Sequence, residues 1–594
     1  REFTHGQLKP LIDDLSEDRL LEVLEEALAA RVIEELPQIA GRYQFTHALI
    51  QEVLIEELNT TRRVRLHARI AEALEELYGP NAESRAAELA LHYAEAEAVL
   101  GNEKLVRYSL LAGEQALATY AHEEALAHFE RALGSKEGQP MDGDTAALLF
   151  GLGRAQVATI ETHRVGEAFE SLARAFDYYA EAGDVPRAVA VADYPFVIIG
   201  GSTLPGMAQV IARALELVPA DSHQAGRLLS RYGTALGARA ENYEAARKAF
   251  EDALAIAQRE GDTRLEVRTL VDACRLDGFN LHLQESLAKS LRALELLDRV
   301  EDPGSEVPAH HWAVMALLIL GDLEGAKVHA QAMLDPAERS RQRPLQQVAL
   351  QTNAPVALME GDWEAARDFI SRGLAVAPFH ALFHGERAML EYQLGNFQQG
   401  ETYLEQLMDI APQFLTQASS LFAQGASIPM VARITGEASR LEIAQTTAEN
   451  YSSLASYSPL VTIAARNCLG FIAVLRADAA AAQEQYQALG AARAGEWFGI
   501  ISSDRNLGLM AHTFGDLDQA VTHFEDGLTF CRKGYRPELA WTCCDYADTL
   551  LQRNNTGDRE QAMSLLDESL AISTKLGMRP LMERVLSRRD ILKA

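Results

Sequence analysis

Gly361 to Pro378 reads GDWEAARDFISRGLAVAP, and Gly395 to Pro412 reads GNFQQGETYLEQLMDIAP. Each run opens on Gly, then Asp or Asn, then an aromatic residue. Each carries a small residue where a second helix would cross the first (Ala366, Gly400) and closes on a proline. The two glycines and the two prolines are each offset by 34 residues. A fixed period of this length belongs to a stacked array of helix pairs and decides the architecture ahead of any local propensity.

Weaker copies extend the array. Between Tyr108 and Leu133 the small, small, aromatic and small positions are Gly113, Ala125, Phe129 and Ala132. Leu469-Gly470 goes with Ala482 and Tyr486; Leu507-Gly508 goes with Gly515-Asp516, Ala520 and Phe524, and in both the small residue of the first helix precedes that of the second by twelve. Less regular copies lie around Tyr243, Ala246, Phe250 and Ala253, around Gly321-Asp322 and Ala326, and around Trp541, Ala562 and Leu566, where Arg553 to Gly557 reads as an inserted loop. Gly or Ala at a crossing lets two backbones approach, and the aromatic ring fills the space toward the next repeat. The pattern predicts an all-α tetratricopeptide array, a right-handed superhelical solenoid over residues 105–594, irregular near 194–206 (YPFVIIGGSTLPG) and 414–436. Stability should then be a sum of nearest-neighbour terms.

At 594 residues the chain exceeds a single core, which an array accommodates by addition. The formal net charge of −30 disfavours a general nucleic-acid or anionic-membrane surface. Five cysteines, Cys274, Cys468, Cys531, Cys543 and Cys544, are scattered without a C-x-x-C pair, so neither a disulfide framework nor a zinc knuckle is expected. The absence of a membrane-length apolar run or a leader pattern predicts a cytoplasmic protein. Because the chain begins at Arg1, already inside a patterned segment, an upstream part is expected to belong to it.

Residues 1–80 read differently from the array, and 81–104 read as linker helices. Leu20, Leu21, Leu24, Leu28 and Val32 share one helical face behind a Ser16 cap. Val32-Ile33 and Tyr43-Gln44-Phe45, around Pro37 and Gly41, predict two short strands; helices follow over His47 to Leu58 and Thr61 to Tyr78, closed by Gly79-Pro80. This is a winged-helix-like plan. Its first helix carries Glu17, Asp18, Glu22, Glu25 and Glu26, which phosphates would repel, so DNA reading by that helix is rejected. Arg62, Arg65 and Arg69 share a basic face, read either as solvated or as docking against an acidic neighbouring domain.

Catalytic signatures are missing. No phosphate loop is present, and Gly151-Leu152-Gly153 lacks the third glycine and the preceding strand of a dinucleotide site. His122-Glu123-Glu124 starts like a zincin motif, but Leu126 stands where the second histidine belongs. Vicinal Cys543-Cys544 read as small core residues. The inward face of the first helices should hold His311, Gln351, Tyr392, Asn467, Arg505 and His512, a polar and aromatic mixture suited to a protein, a peptide or a small effector in the concave groove.

The segments Leu24-Glu25-Glu26-Ala27-Leu28-Ala29-Ala30-Arg31, Tyr43-Gln44-Phe45-Thr46-His47-Ala48-Leu49-Ile50-Gln51-Glu52 and Arg62-Arg63-Val64-Arg65-Leu66-His67 resemble a known junction. It is the end of the ATPase core and winged-helix region in large bacterial signal-transduction ATPases, as in LuxR-type ATP-dependent transcription regulators and multidomain class III adenylate cyclases. The resemblance implies a sensor arm that controls an upstream ATPase domain, with ATP bound only there and no cofactor in this chain. The rival reading is a stand-alone tetratricopeptide scaffold for protein–protein interaction.

Overall fold

The computed structural model describes residues 2–12, 16–36, 41–160, 164–195, 204, 206–237, 240–410, 418–453, 458–490, 497–498 and 501–593. Pro37, Pro412 and most of the irregular runs read at 194–206 and just before 418 lie outside them. The chain divides into two compact units, Arg1–Thr159 with Glu167–Val191, and Ile160–Gly166 with Ala192–Ala594.

In the first unit, strands β1 (Glu2–Thr4), β2 (Ile33–Glu35) and β3 (Arg42–Phe45) form an antiparallel sheet in the order β1-β3-β2. Strand β1 is an addition to the two strands that the alternation predicts. Helix α1 (Glu17–Ala29) starts where the Ser16 hydroxyl accepts the Arg19 N–H. It buries Leu20 and Leu24 against Ile33 and Tyr43 of the sheet. Then come α2 (Ala48–Glu56), α3 (Thr60–Tyr78), α4 (Ala86–Glu95), and the repeat helices α5 (Glu103–Ala118), α6 (His122–Ser135), α7 (Gly143–Thr159) and α8 (Val165–Glu181). Phe129 of α6 is fully buried between Gly113 of α5 and Gly151 of α7. A Cβ on either glycine would lie 2.4 Å from the ring, so only glycine fits there.

The second unit is a tetratricopeptide solenoid. Its helices alternate between an inner and an outer layer, and each inner helix is followed by its outer partner: α9 (His223–Leu236) and α10 (Tyr243–Glu260), α11 (Thr263–Phe279) and α12 (Leu283–Leu297), α13 (Pro303–Leu320) and α14 (Leu323–Ala332). There follow α15 (Arg343–Glu360) and α16 (Trp363–Val376), α17 (Ala381–Leu394) and α18 (Phe397–Ile410), α19 (Ala418–Thr435) and α20 (Leu441–Ser453). The last pairs are α21 (Pro459–Leu475) and α22 (Ala479–Gly490), α23 (Ser503–Phe514) and α24 (Leu517–Cys531), α25 (Arg536–Arg553) and α26 (Asp558–Leu576), closed by α27 (Arg579–Lys593). The glycine of the Gly-Asp/Asn signal takes a left-handed conformation at the inner helix's C-terminus, with φ of 82° at Gly361 and 77° at Gly395. The Asp362 carboxylate then accepts the Ala365 N–H and starts the outer helix. One dipeptide thus ends one helix and begins the next.

At the crossings the small residues are buried as the spacing requires: Ala366, Ala482 and Ala520 have no exposed surface. Ala520→Leu is expected to overpack the α23–α24 crossing and to cost about 1–3 kcal/mol; an unchanged urea midpoint for the second unit's transition would refute this register. All five cysteines are free and buried.

Two further features were not visible in the repeat pattern. Residues 418–435, where no hairpin is discernible in sequence, form the continuous inner helix α19, with Pro429 inside it. Proline removes a helical donor and obscures the pattern without ending the helix. In addition, the array closes on itself. The Tyr535 hydroxyl donates to the Leu318 carbonyl (2.9 Å), the Trp363 indole N–H to the Leu576 carbonyl (2.7 Å), and the Arg579 Nε to the Leu394 carbonyl (2.8 Å). Leu394 and Leu576 end their helices, where carbonyls lack intrahelical donors, while the Leu318 carbonyl, in the last turn of α13, also accepts the Gly321 N–H at 3.2 Å. The last repeats therefore cap the middle ones, and one of the caps is returned. A shared core of Val314, Leu318 and Leu323 with Phe530, Tyr535 and Trp541 fills the junction.

Candidate functional site

Closure changes what the inner layer encloses. Along the inner layer, α15, α17, α19, α21 and α25, with Ile501 from the short strand β4 (Ile501–Ser502), line a partly open cavity of about 160 Å³. Its wall is mainly apolar, and Met359, Met389, Met430, Leu421, Phe471 and Trp541 are among the side chains that line it. Methionine suits such a wall because its thioether is polarisable and its chain adapts to different occupants. An apolar cavity of about this size accepts a single aromatic ring.

Four carboxyl or amide side chains reach the wall: Glu386, Gln393, Asn467 and Glu538. Three are held. Gln393 Oε1 accepts the Trp541 indole N–H at 3.4 Å, the Asn467 amide donates to the Ile463 carbonyl at 3.1 Å, and Glu538 accepts the Ser502 N–H at 2.8 Å and the Arg505 guanidinium at 2.9 Å. Glu386 is the exception. Among the described residues nothing hydrogen-bonds to or pairs with its carboxyl, and Oε2 has no solvent-accessible surface. The side chain is deep in the protein and yet only half-buried by surface, because part of it faces the cavity. Burial, with no opposing partner, pushes its pKa up to about 8. A carboxyl raised above its unfolded value stabilises the fold while protonated, and that contribution is lost as pH climbs from the ordinary Glu range through 8. The neighbouring charges on α17 are engaged elsewhere: Arg387 Nε pairs with Glu391 at 2.9 Å, and Glu391 also binds Arg367 at 2.8 Å.

Behind the cavity wall lies a buried ionic cluster. Arg505, without exposed surface, pairs with Glu538 and, at 2.9 Å, with Asp545. Asp545 also meets Arg433 of α19 and, at 3.9 Å, Arg584 of α27. Burial raises the Asp545 pKa, but Arg433, Arg505 and Arg584 outweigh it and hold this carboxyl well below the usual carboxylate range. Trp541 lines the cavity and carries the Arg505 and Arg584 guanidinium groups over its ring at 5.5 and 6.0 Å.

The residues expected on the inward face are distributed as follows. Asn467 lines the cavity, and Arg505 sits one layer behind it. His311 is buried, with Nδ1 against the Thr352 hydroxyl at 2.8 Å, and His512 Nδ1 meets the Thr549 hydroxyl at 2.9 Å. Tyr392 donates to Glu401 at 2.6 Å and packs on Gly400, within the α17–α18 pair; Gln351 is half-buried on α15. In the first unit Arg62 and Arg65 are exposed, and Arg69 donates to the Leu11 carbonyl.

Sequence reasoning passed over Glu386, Gln393, Glu538 and Trp541. One signal was available: HGERAMLEY (384–392) places two glutamates and one arginine on one inner helix, and an Arg387–Glu391 pair at i, i+4 leaves Glu386 over. Among the described residues no group of His, Cys, Asp and Glu side chains is arranged to hold a metal ion, and no helix is long and apolar enough to cross a membrane.

No protein-family profile and no curated protein matches the chain. Similar solved structures include the APC/C hetero-tetramer Cut9-Hcn1, at 16% identity over 98% of this chain and 98% of that one (TM-score 0.44). A signal transduction ATPase with numerous domains that bears a tetratricopeptide repeat sensor, from Pyrococcus horikoshii, aligns at 14% identity over 83% of this chain and 62% of its own (TM-score 0.30). NprR in complex with its cognate peptide NprX aligns at 13% over 68% of this chain and 96% of that one (TM-score 0.38).

Proposed function

We propose that the second unit is a receptor for a small, largely apolar effector held in the cavity, and that the chain is the sensor arm of a signal-transduction or transcription-regulating ATPase. One observation carries the receptor reading: a partly open, mainly apolar cavity with an unsatisfied carboxyl lies between α17 and α25, helices on opposite sides of the closure. An occupant that touches both favours the closed arrangement by its differential affinity for closed over open. The regulatory half of the reading rests on the resemblance of the first 80 residues, whose exposed Arg62 and Arg65 stand available to an acidic face of the ATPase domain.

Ala426 lines the cavity and is small enough to be enlarged into it. In thermal melts with toluene near 100 times its dissociation constant, the wild-type second unit should gain about 2.7 kcal/mol, a midpoint rise of about 2 °C or more. Ala426→Leu should melt near the wild type and lose the rise. Absence of a toluene shift in the wild type, or an equal shift in the filled variant, would sink the receptor reading.

A further inference from the structure

We infer that the cavity's ligand is a protonated amine carrying one ring-sized apolar group, with the Glu386 carboxylate as its counter-ion. The inference rests on the receptor reading above and adds the chemistry of the occupant. Its ground is an imbalance of donors and acceptors. The carboxyl of Glu386 faces an apolar space, and none of the described residues donates to it. Pro429, in the wall helix α19, has no N–H to give to the carbonyl of Gly425, another cavity-lining residue, so a second acceptor there lacks the donor an α-helix ordinarily supplies. With Glu386 ionised, both of these groups are acceptors in want of donors. An ammonium group supplies both positive charge and several N–H donors, and Met359, Met389, Phe471 and Trp541 cover the apolar remainder.

The alternatives within the protein are closed off. Arg505 is committed to Glu538 and Asp545, and Arg433 to Asp545, so neither α23 nor α19 offers a cation to Glu386. On α17 itself, Arg387 and Glu391 are mutually paired, and His384 Nε2 donates to the Pro378 carbonyl at 2.8 Å. From α21 the titratable group on the wall is Cys468, whose thiol burial pushes up to about 12. From α15, Glu360 is tied to Lys327 at 2.7 Å. The volume of about 160 Å³, walled by helices on several sides, suits a free small molecule better than the end of a peptide chain.

Entry of the ammonium requires the carboxyl to release its proton to solvent, so affinity is linked to pH with a known sign. Below pH 8 each unit of acidification should weaken amine binding about tenfold; between 8 and the amine's own pKa the affinity should be flat. The test measures binding of 2-phenylethylamine, propylbenzene and 3-phenylpropionate to the full chain by calorimetry from pH 6 to 9, in the wild type and in Glu386→Gln. The amine should bind at least ten times tighter than propylbenzene at pH 8, with the stated pH slope, and the anion most weakly. Glu386→Gln, nearly isosteric and uncharged, should keep propylbenzene binding, lose the amine preference and flatten the slope. Equal binding of amine and hydrocarbon, or a preference that survives in Glu386→Gln, overturns the inference while leaving the receptor reading in place. So does tighter binding of a tetrapeptide with N-terminal phenylalanine than of the free amine. Failure of all three small probes to bind the wild type overturns the receptor reading itself.

Discussion

Asp545→Asn is expected to destabilise the second unit by about 3–5 kcal/mol, the range for removing one partner of a buried ion cluster. Asp545 has no accessible side-chain surface and answers three guanidinium groups, from α19, α23 and α27. Arg505 keeps Glu538 after the substitution, but Arg433 loses its only ion-pair partner among the described residues. An amide of the same shape preserves packing, so the loss isolates the charge. Asp368→Asn is the control: Asp368 pairs with Arg372 at 3.3 Å, both side chains are exposed, and water screens that pair, so the cost should stay below about 1 kcal/mol. The pH dependence follows from the depressed pKa of Asp545. The carboxylate stabilises the fold above its unfolded pKa and loses that contribution as pH falls toward the folded value. Urea midpoints of wild type and Asp545→Asn should therefore lie far apart at pH 7 and converge in acid. A difference below 1 kcal/mol at pH 7 would show that the cluster contributes little.

Phe129→Ala should cost the first unit about 3–5 kcal/mol. The ring is the common filling of two crossings, meeting Gly113 on one side and Gly151 on the other, and no neighbouring side chain from either glycine can occupy the void. The same geometry makes the reciprocal change harmful: Gly151→Ala places a methyl group 2.4 Å from the ring and should cost about 1–3 kcal/mol. Combined, the two changes should cost less than their sum, since the methyl group then enters space that the ring has left. Strict additivity in chemical denaturation would mean that ring and glycine are not in contact.

The repeat was legible because each of its marks has a local cause. Gly361 and Gly395 adopt left-handed backbone that other residues avoid, Asp362 caps the next helix, and Ala366 and Gly400 stand where backbones touch. Closure was not legible, because it depends on how much the array turns per repeat, a sum over many small packing angles that no single residue records. Trp363 illustrates the difference: its place in the Gly-Asp-Trp signal is local, but its indole N–H is spent on Leu576, 213 residues away. Glu386 was missed for a related reason, since a Glu on an inner helix reads as a solvated groove residue until closure takes the solvent away. Asn467 and Arg505 were singled out as inward-facing, but the order in which they lie, one on the wall and one behind it, follows from the third dimension alone.

A linear array of repeats can fold as the ribosome releases it, each hairpin settling on the one before. The bonds from Tyr535 to Leu318 and from Trp363 to Leu576 do not allow this, because they span 217 and 213 residues. At about 5–20 residues per second, synthesis delivers the closing partner on the order of 10–40 s after the helix it will meet. For that interval the middle repeats wait with bare docking edges, and the future cavity is an open trough. The nascent chain therefore passes through a window in which the cavity wall is reachable from solvent without any door having to open. A chaperone that covered those edges would set how long the window lasts.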